Sequence, residues 1–397
     1  MNLVERESPH EREKELSLVL GGPLYQLYLH SRLARPPLDL VHRRVLLLIL
    51  ITWVPLAVLS LIEGRAFSGV DVPFFTNVDI HVRLLLSLPL LIFAELIVHS
   101  RLTGPVAQFG KRHLIAPEDQ KRFDRAVASA VRLRNSVVAE LILLVLAWTV
   151  GHTIWKHLEL TESSWRGGYD GGGHTWAGLW YVFVSLPIFQ FLLLRWLFRL
   201  MIWYRFLWSV SRIPLQLDAL HPDRAGGLGF LAGSPLAFLP VLLAMSSLVS
   251  AKVFDHILHD GATVRQYELV IVSFVIVLVL IGYVPLLFFI GQLDRARRVG
   301  LRQYGTVAMQ YVRSFRAKWI ADTPSSKGEE TFLGSKDIQS LADLGNSFNI
   351  VYGMSMLPFG HKSLVQQAIF VSLPILPLFL TMIPLSEMVD HLIKMVL

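Results

Sequence analysis

The chain has 397 residues, of which 53% are apolar, and its 37 lysine and arginine residues exceed its 30 acidic residues. A soluble chain of this length does not need so large an apolar share, so the composition indicates several segments that cross a bilayer. The absence of cysteine excludes disulfide bonds and thiolate chemistry. The polar N-terminal residues lack the pattern of a cleaved signal peptide, so the first apolar run is expected to remain in the membrane.

Seven apolar runs have lengths suited to a membrane-spanning helix. They do not alternate as barrel strands do, and only helices or closed barrels satisfy their backbones in lipid. We therefore predict an all-α, polytopic integral membrane protein with about seven transmembrane helices and interfacial amphipathic helices. The runs are Arg44–Ile62, Arg83–Leu102, Ser136–Trp155, Trp176–Phe198, Pro235–Asp255, Leu269–Gly291 and Leu364–Pro384.

Lysine and arginine alternate in number between the segments that connect these runs. From the N-terminus, with charged run ends counted in the neighbouring segment, the numbers are 7, 2, 8, 2, 4, 2, 10 and 1. Cytoplasmic segments are the basic ones in multi-pass proteins. The pattern is typical of the bacterial inner (plasma) membrane and predicts a cytoplasmic N-terminus and a C-terminus outside.

Four regions follow from this pattern. Residues 1–43 are predicted to be a cytoplasmic N-terminal segment with an interfacial helix that starts near Pro23. Residues 44–291 would form a six-helix transmembrane region, and residues 292–362 a basic cytoplasmic helical segment. Residues 363–397 would form a C-terminal transmembrane helix that prolines interrupt.

The basic segment contains two amphipathic helical patterns, "LDRARRVGLRQYGTVAMQYVRSFRAKWI" and "DIQSLADLGNSFNIV". Seven basic residues and one acid lie between Asp294 and Lys318. Such a helix lies on anionic headgroups or packs against a neighbour. Anionic lipid is therefore an expected partner, and nucleic acid is not.

Ionisable groups inside apolar runs are costly and therefore suggest function. Glu95, Glu140, Arg195 and Arg199 fall at similar depth near the predicted inner ends of their runs, and His99 lies one helical turn from Glu95. They are predicted to form either a buried charge network that ties the helices together or part of an ion or proton pathway.

Two other runs carry features that suit more than lipid contact. Small hydroxyl residues permit close helix packing and also suit a pore wall. Prolines remove backbone hydrogen bonds, and broken helices recur where transporters bind ions. These residues are Ser246, Ser247 and Ser250 in the fifth run, and Pro374, Pro377 and Pro384 in the seventh.

A Gly-rich inner loop, residues 221–233, precedes the fifth run. One interpretation is a turn at the membrane surface, since glycine adopts positive φ at little cost. The other is an anion or headgroup contact, because glycine N–H groups can cradle phosphate. Its members would be Arg224, Gly226, Gly227 and Gly229.

The predicted outer segments are rich in histidine and acid, and the tightest group is "DHILHD". Asp255, His256, His259 and Asp260 offer imidazole and carboxylate ligands for a transition metal such as zinc, copper, nickel or iron. Solvated interfacial histidines, or histidines that sense pH, are the alternatives.

No nucleophile elbow, haem motif or paired phosphotransfer carboxylates stand out, so an enzyme is not favoured. The leading hypothesis is a membrane channel or transporter for a small ion that acts as a homo-oligomer. One alternative is a non-catalytic membrane scaffold or assembly factor that uses the basic helices. The other is a membrane enzyme that modifies lipid near the Gly-rich loop.

Overall fold

The computed structural model describes residues 16–35, 38–158, 164–167, 174–320 and 336–380. Across these residues the chain forms helices and turns with isolated bridges but no strand, which confirms the predicted all-α fold. The α-helices are α1 (Pro23–His30), α2 (Val41–Thr52), α3 (Val54–Ile62), α4 (Val78–His81), α5 (Leu88–Lys111), α6 (Gln120–Arg134), α7 (Val137–Leu158), α8 (Trp176–Trp180), α9 (Leu186–Ser211), α10 (Leu239–Asp260), α11 (Glu268–Tyr283), α12 (Ile290–Trp319), α13 (Lys336–Tyr352), α14 (His361–Ser372) and α15 (Leu376–Leu380).

Six continuous helical runs are long and apolar enough to cross a membrane, which supports a multi-pass protein. The third predicted run does not join them, because the described apolar part of α7, Val137–Thr149, is too short. Most side chains in the rest of that run, to Trp155, lie outside the described part of the structure. Pro384, in the seventh predicted run, also lies outside the described residues. The six runs are Val41–Ile62, Val78–Lys111, Trp176–Ser211, Gly229–Asp260, Val264–Trp319 and His361–Phe379.

Two of these runs widen locally into π-helix, at Val82–Ser87 and Tyr181–Ser185. Each widened turn is followed by a proline in the first turn of the next α-helix, Pro89 and Pro187. A proline has no N–H to offer the carbonyl four residues earlier, so the preceding turn relaxes to a longer hydrogen-bond spacing.

The segments that connect the helices meet at two opposite ends of the helical assembly. At one end, which we call the basic end, Gln216 N donates to Leu114 O at 2.8 Å, and Arg112 Nη1 donates to Gly227 O at 3.0 Å. At the opposite end, Trp176 N donates to the Glu63 carboxylate at 2.6 Å. The segments with many arginines and lysines meet at the basic end, as their alternation along the sequence predicts.

The basic end contains a helical layer that sequence reasoning described incompletely. The helix α9 continues beyond the predicted end of the fourth run at Phe198 and keeps a buried face as far as Val210, while Met201, Arg205 and Trp208 on its other face are exposed. The amphipathic helix α6, which was not predicted, packs against this part of α9, with the Phe123 and Phe206 rings 6.1 Å apart. One face of this extension therefore belongs to the core.

The two predicted amphipathic helices of the basic segment, α12 and α13, pack against each other as a hairpin. Tyr311 Oη donates to Asp337 O at 2.9 Å, and Trp319 Nε1 donates to Asp337 Oδ2 at 3.0 Å. At the other end of the pair, a Cβ on Gly300 would lie 3.1 Å from Val351. The apolar face of α12 is thus partly covered by α13, while Val307 and Val312 remain exposed.

A buried charge cluster as the candidate functional site

Three arginine side chains converge on the carboxylate of Glu95. Arg195 Nη1 and Arg199 Nη1 donate to Glu95 Oε1 at 3.0 and 3.1 Å. Arg44 Nη1 donates to Glu95 Oε2. At most 6% of each of these four side chains is exposed, so the ion pairs are shielded from solvent.

Glu140 extends this arrangement on a fourth helix. Its Oε1 accepts from Arg195 Nε at 3.1 Å, and its Oε2 accepts from Leu24 N at 2.9 Å. We call Arg44, Glu95, Glu140, Arg195 and Arg199 the charge cluster. The structure therefore brings together four of the five predicted network residues and adds one that was not predicted.

Helix geometry explains how these side chains meet. Arg195 and Arg199 lie one turn apart on α9 and therefore share a face. Glu95 lies on the facing side of α5, and Trp196, next to Arg195, donates from Nε1 to Leu91 O at 2.7 Å, which fixes the two helices in register. Arg44 points inward from the first turn of α2 while its neighbour Arg43 is exposed.

The charges of the cluster do not balance. Three guanidinium groups face two carboxylates, and arginine stays protonated in proteins while each adjacent guanidinium favours the ionised carboxylate. Among the described residues of the cluster, one positive charge is therefore in excess. Arg44 Nε and Arg199 Nη2 are buried and have no hydrogen-bond acceptor among the described residues.

The N-terminal segment packs against the cluster at the basic end. Leu16, Leu18 and Val19 are at most 1% exposed. Arg134 Nη1 donates to Ser17 O at 2.6 Å, so the segment is fixed to α6. It closes the cluster on that side.

Two further side chains accompany this segment. The predicted network residue His99 does not join the arginines, because its Nδ1 pairs with Ser17 Oγ at 3.0 Å. The Tyr28 ring lies 5.3 Å from Arg44 Cζ. Burial, together with the charge of Glu95, raises the pKa of Tyr28 to about 12, so this phenol remains neutral.

Sequence reasoning missed Arg44, Tyr28 and Ser17. Arg44 was treated as the edge of an apolar run. An arginine that begins such a run on its buried side indicates a buried ion pair. Tyr28 and Ser17 carry no pattern of their own, because their contacts depend on how the N-terminal segment folds back.

Backbone N–H groups of the Gly-rich loop bind a carboxylate of the loop itself. The Asp223 carboxylate accepts from the N–H groups of Ala225, Gly227 and Gly229 at 2.8, 3.1 and 2.9 Å. Burial raises the pKa of Asp223, but these three N–H groups outweigh that effect and hold the pKa below its usual value. The turn interpretation therefore describes the loop.

Two glycine amides of the predicted headgroup contact are used within the protein. The Arg224 side chain is exposed, and its backbone carbonyl accepts from Ser355 N at 2.7 Å. Gly226 is buried, with Met354 3.0 Å from where its Cβ would be. Gly227 and Gly229 already donate to Asp223, so these amides are not available to lipid.

The four residues predicted to bind a metal point in different directions. The Asp255 carboxylate accepts from Val78 N and Asp79 N at 2.8 and 3.1 Å. His256 Nδ1 pairs with Asp260 Oδ2 at 2.6 Å, and His259 Nδ1 faces Asp255 O at 3.1 Å. No group of three or more potential metal ligands occurs among the described residues. The geometry contradicts the predicted transition-metal site.

Two of the serines that suggested a pore donate hydrogen bonds to carbonyl groups near the prolines of the seventh run. Ser246 Oγ donates to Val371 O, and Ser250 Oγ donates to Pro374 O, both at 2.6 Å. Ser247 Oγ instead donates to Leu243 O within its own helix, at 2.8 Å. Two of the three hydroxyls thus satisfy carbonyls next to a proline break and hold α10 against the seventh run.

The chain was compared with protein-family models, with curated proteins and with solved structures, and none of them matches it. The functional conclusion therefore depends on the geometry of the charge cluster within a multi-pass helical membrane protein.

Proposed function

We propose that the protein is a channel or transporter that moves a small ion across the membrane and that the charge cluster lies on the route of the ion. The cluster lies within apolar helical runs, where ionisable side chains are costly unless they serve a purpose. Most of its contacts would also serve packing, so the ion pairs alone do not decide between a structural and a functional role.

The excess positive charge is the observation that carries the proposal. A purely structural buried network is most stable when every donor is satisfied and its charges balance. Within the described part of the chain, this cluster has one uncompensated charge and two buried donors without acceptors. A mobile ion would compensate both.

Flux measurements in liposomes that contain the purified protein test this proposal. Gradients of potassium chloride with pH, chloride and potassium readouts cover the common small ions. Glu140→Gln removes one cluster charge but retains an oxygen for Leu24 N, and we expect flux to change about tenfold, or ~1.4 kcal/mol in barrier. Glu268→Gln, an exposed carboxylate in the first turn of α11, is the matched control. Wild-type flux no greater than that of empty liposomes would refute transport.

A membrane scaffold is the second candidate, because α12 presents a stripe of arginines on the face opposite α13. All five are exposed and cover about 32 Å of helix at 1.5 Å per residue. Within the stripe, Asp294 pairs with Arg298 at 2.5 Å. We propose that the stripe binds anionic headgroups by charge, since α13 packs against much of the apolar face on the other side. The arginines are Arg295, Arg298, Arg302, Arg313 and Arg316.

A fluorophore on Met309→Cys, beside the stripe, tests this candidate in nanodiscs. We expect its emission to shift between neutral and anionic lipid, and the shift to disappear at high salt or when the five arginines become glutamine. Identical emission in both lipids would exclude headgroup binding. The same preparation, measured by light scattering, tests the proposed homo-oligomer.

A further inference from the structure

We infer that the charge cluster is a binding site for one small monovalent inorganic anion of the halide class. This inference deepens the proposed function, because it assigns the ion that the proposed pathway accepts. Two buried donor atoms without an acceptor among the described residues, Arg44 Nε and Arg199 Nη2, support it. Their side chains are 1% and 4% exposed.

The two donors belong to guanidinium groups that bind the same carboxylate. Each guanidinium uses another nitrogen to bind the Glu95 carboxylate, one at each oxygen. Arg44 and Arg199 therefore approach the same group from different helices, α2 and α9. An anion beside either one would be stabilised by both charges, because opposite charges interact strongly in a medium of low dielectric constant.

Charge and enclosure specify the class of ligand. One excess positive charge is neutralised by one monovalent anion, whereas a divalent anion would reverse the imbalance. Since the cluster side chains are almost fully buried, the anion has to be small. A cation is excluded from this position, because three guanidinium groups surround the only central carboxylate.

A surface groove lies near the Glu140 side of the cluster. It has a volume of about 470 Å³ and lies between the N-terminal segment and the start of α7, with Arg134 and Asn135 among its lining residues. Gly22 lines it as well, and a Cβ on Gly22 would be 3.0 Å from Glu140 Oε1. The groove is therefore separated from Glu140, at the edge of the cluster, by Gly22, and it carries a positive charge on its wall.

The first test measures halide binding without transport. The thermal unfolding of purified protein in detergent is compared in bromide and in gluconate at equal ionic strength. A ligand that binds the folded state alone raises the melting temperature, so we expect a higher value in bromide. Arg199→Gln balances the charges and should remove the difference, whereas Arg83→Gln, at an ion pair in the opposite end, should keep it. An equal melting temperature in both salts would overturn the inference.

A second measurement needs no variant and covers the case in which Arg199→Gln does not fold. Crystals grown in bromide should give an anomalous peak within hydrogen-bond distance of Arg44 Nε or Arg199 Nη2. Bromide only at surface positions would contradict the inference.

Flux separates this inference from the proposed function. Bromide bound at the cluster without halide flux would support the site and refute transport. Proton or potassium flux without bromide at the cluster would support transport and refute the anion site.

Discussion

Glu140 accepts a hydrogen bond from the backbone N–H of Leu24 at 2.9 Å, which joins positions 116 residues apart in the sequence. Leu24 lies in the first turn of α1, where N–H groups have no partner within the helix. The carboxylate therefore acts as a cap for α1, while its other oxygen binds Arg195. This double contact couples the position of the N-terminal segment to the charge cluster.

Replacement of Glu140 by alanine should release the N-terminal segment, whereas replacement by glutamine should retain it. Alanine removes the acceptor for Leu24 N, whereas glutamine keeps an oxygen there. With a single cysteine in place of Val19, which is 1% exposed, maleimide labelling should be fast in Glu140→Ala and slow in Glu140→Gln. Equal labelling of the two variants would mean that Glu140 does not hold the segment.

Arg195→Ala should destabilise the protein by about 3–5 kcal/mol, because it leaves Glu140 as a buried charge without its cation. Adding Glu140→Gln should recover much of this loss. Adding Glu95→Gln should not, since Glu95 still serves Arg44 and Arg199. Melting curves in detergent compare the three variants, and recovery by Glu95→Gln alone would contradict the geometry.

Asp223→Asn should lower the free energy of unfolding at neutral pH by about 1–2 kcal/mol, at the low end for a charged acceptor because the carboxylate is partly solvated. The three N–H groups lower the pKa of Asp223 in the folded state. Its stabilisation is therefore complete above the usual aspartate pKa, near ~3.9, and is lost as the pH falls below it. The wild type and Asp223→Asn should converge in stability in acid, and a constant gap from pH 7 to pH 3 would exclude this linkage.

Ser246→Ala and Ser250→Ala should each cost about 0.6 kcal/mol, the average for hydrogen bonds between membrane helices. Ser247→Ala should cost less, because its hydroxyl bonds within α10 and leaves no distant carbonyl unsatisfied. Unfolding in mixed detergent micelles gives these values. A larger effect at Ser247 than at Ser246 would argue against the pairing with the seventh run.

The predicted orientation can be tested by labelling, since the natural chain has no cysteine and is its own blank. Ser68 is exposed at the opposite end, and Ser355 is exposed at the basic end. A membrane-impermeant maleimide should label Ser68→Cys in intact cells and Ser355→Cys only after permeabilisation. The reverse pattern would invert the topology.

The spans and the depth of the charges could be predicted because both depend on the local order of residues. Apolar runs locate the helices, and a similar distance from the run ends predicted that Glu95 lies at about the depth of Arg195. The rotation of each helix about its axis is not contained in such patterns. It decides that Arg44 enters the cluster while Arg43 does not.

Contacts between residues that are far apart in the sequence, or that depend on backbone conformation, could not be predicted either. The Asp223 carboxylate lies within the Gly-rich loop, but the positive φ angles of Arg224, Gly226 and Gly227 that wrap the chain around it were not evident. Ser246 and Val371 are 125 residues apart, so the hydroxyls read equally well as a pore lining or as a helix contact. Only the fold distinguishes these.

The position of Arg44 has a consequence for the order of biosynthesis. Its partner Glu95 follows 51 residues later, an interval of roughly 3–10 s at bacterial or eukaryotic synthesis rates. During that time the first span carries an unpaired guanidinium near its end, which a long side chain can keep in the headgroup layer. The nascent span should therefore enter the bilayer at a shallow depth and settle only when the helix that carries Glu95 arrives.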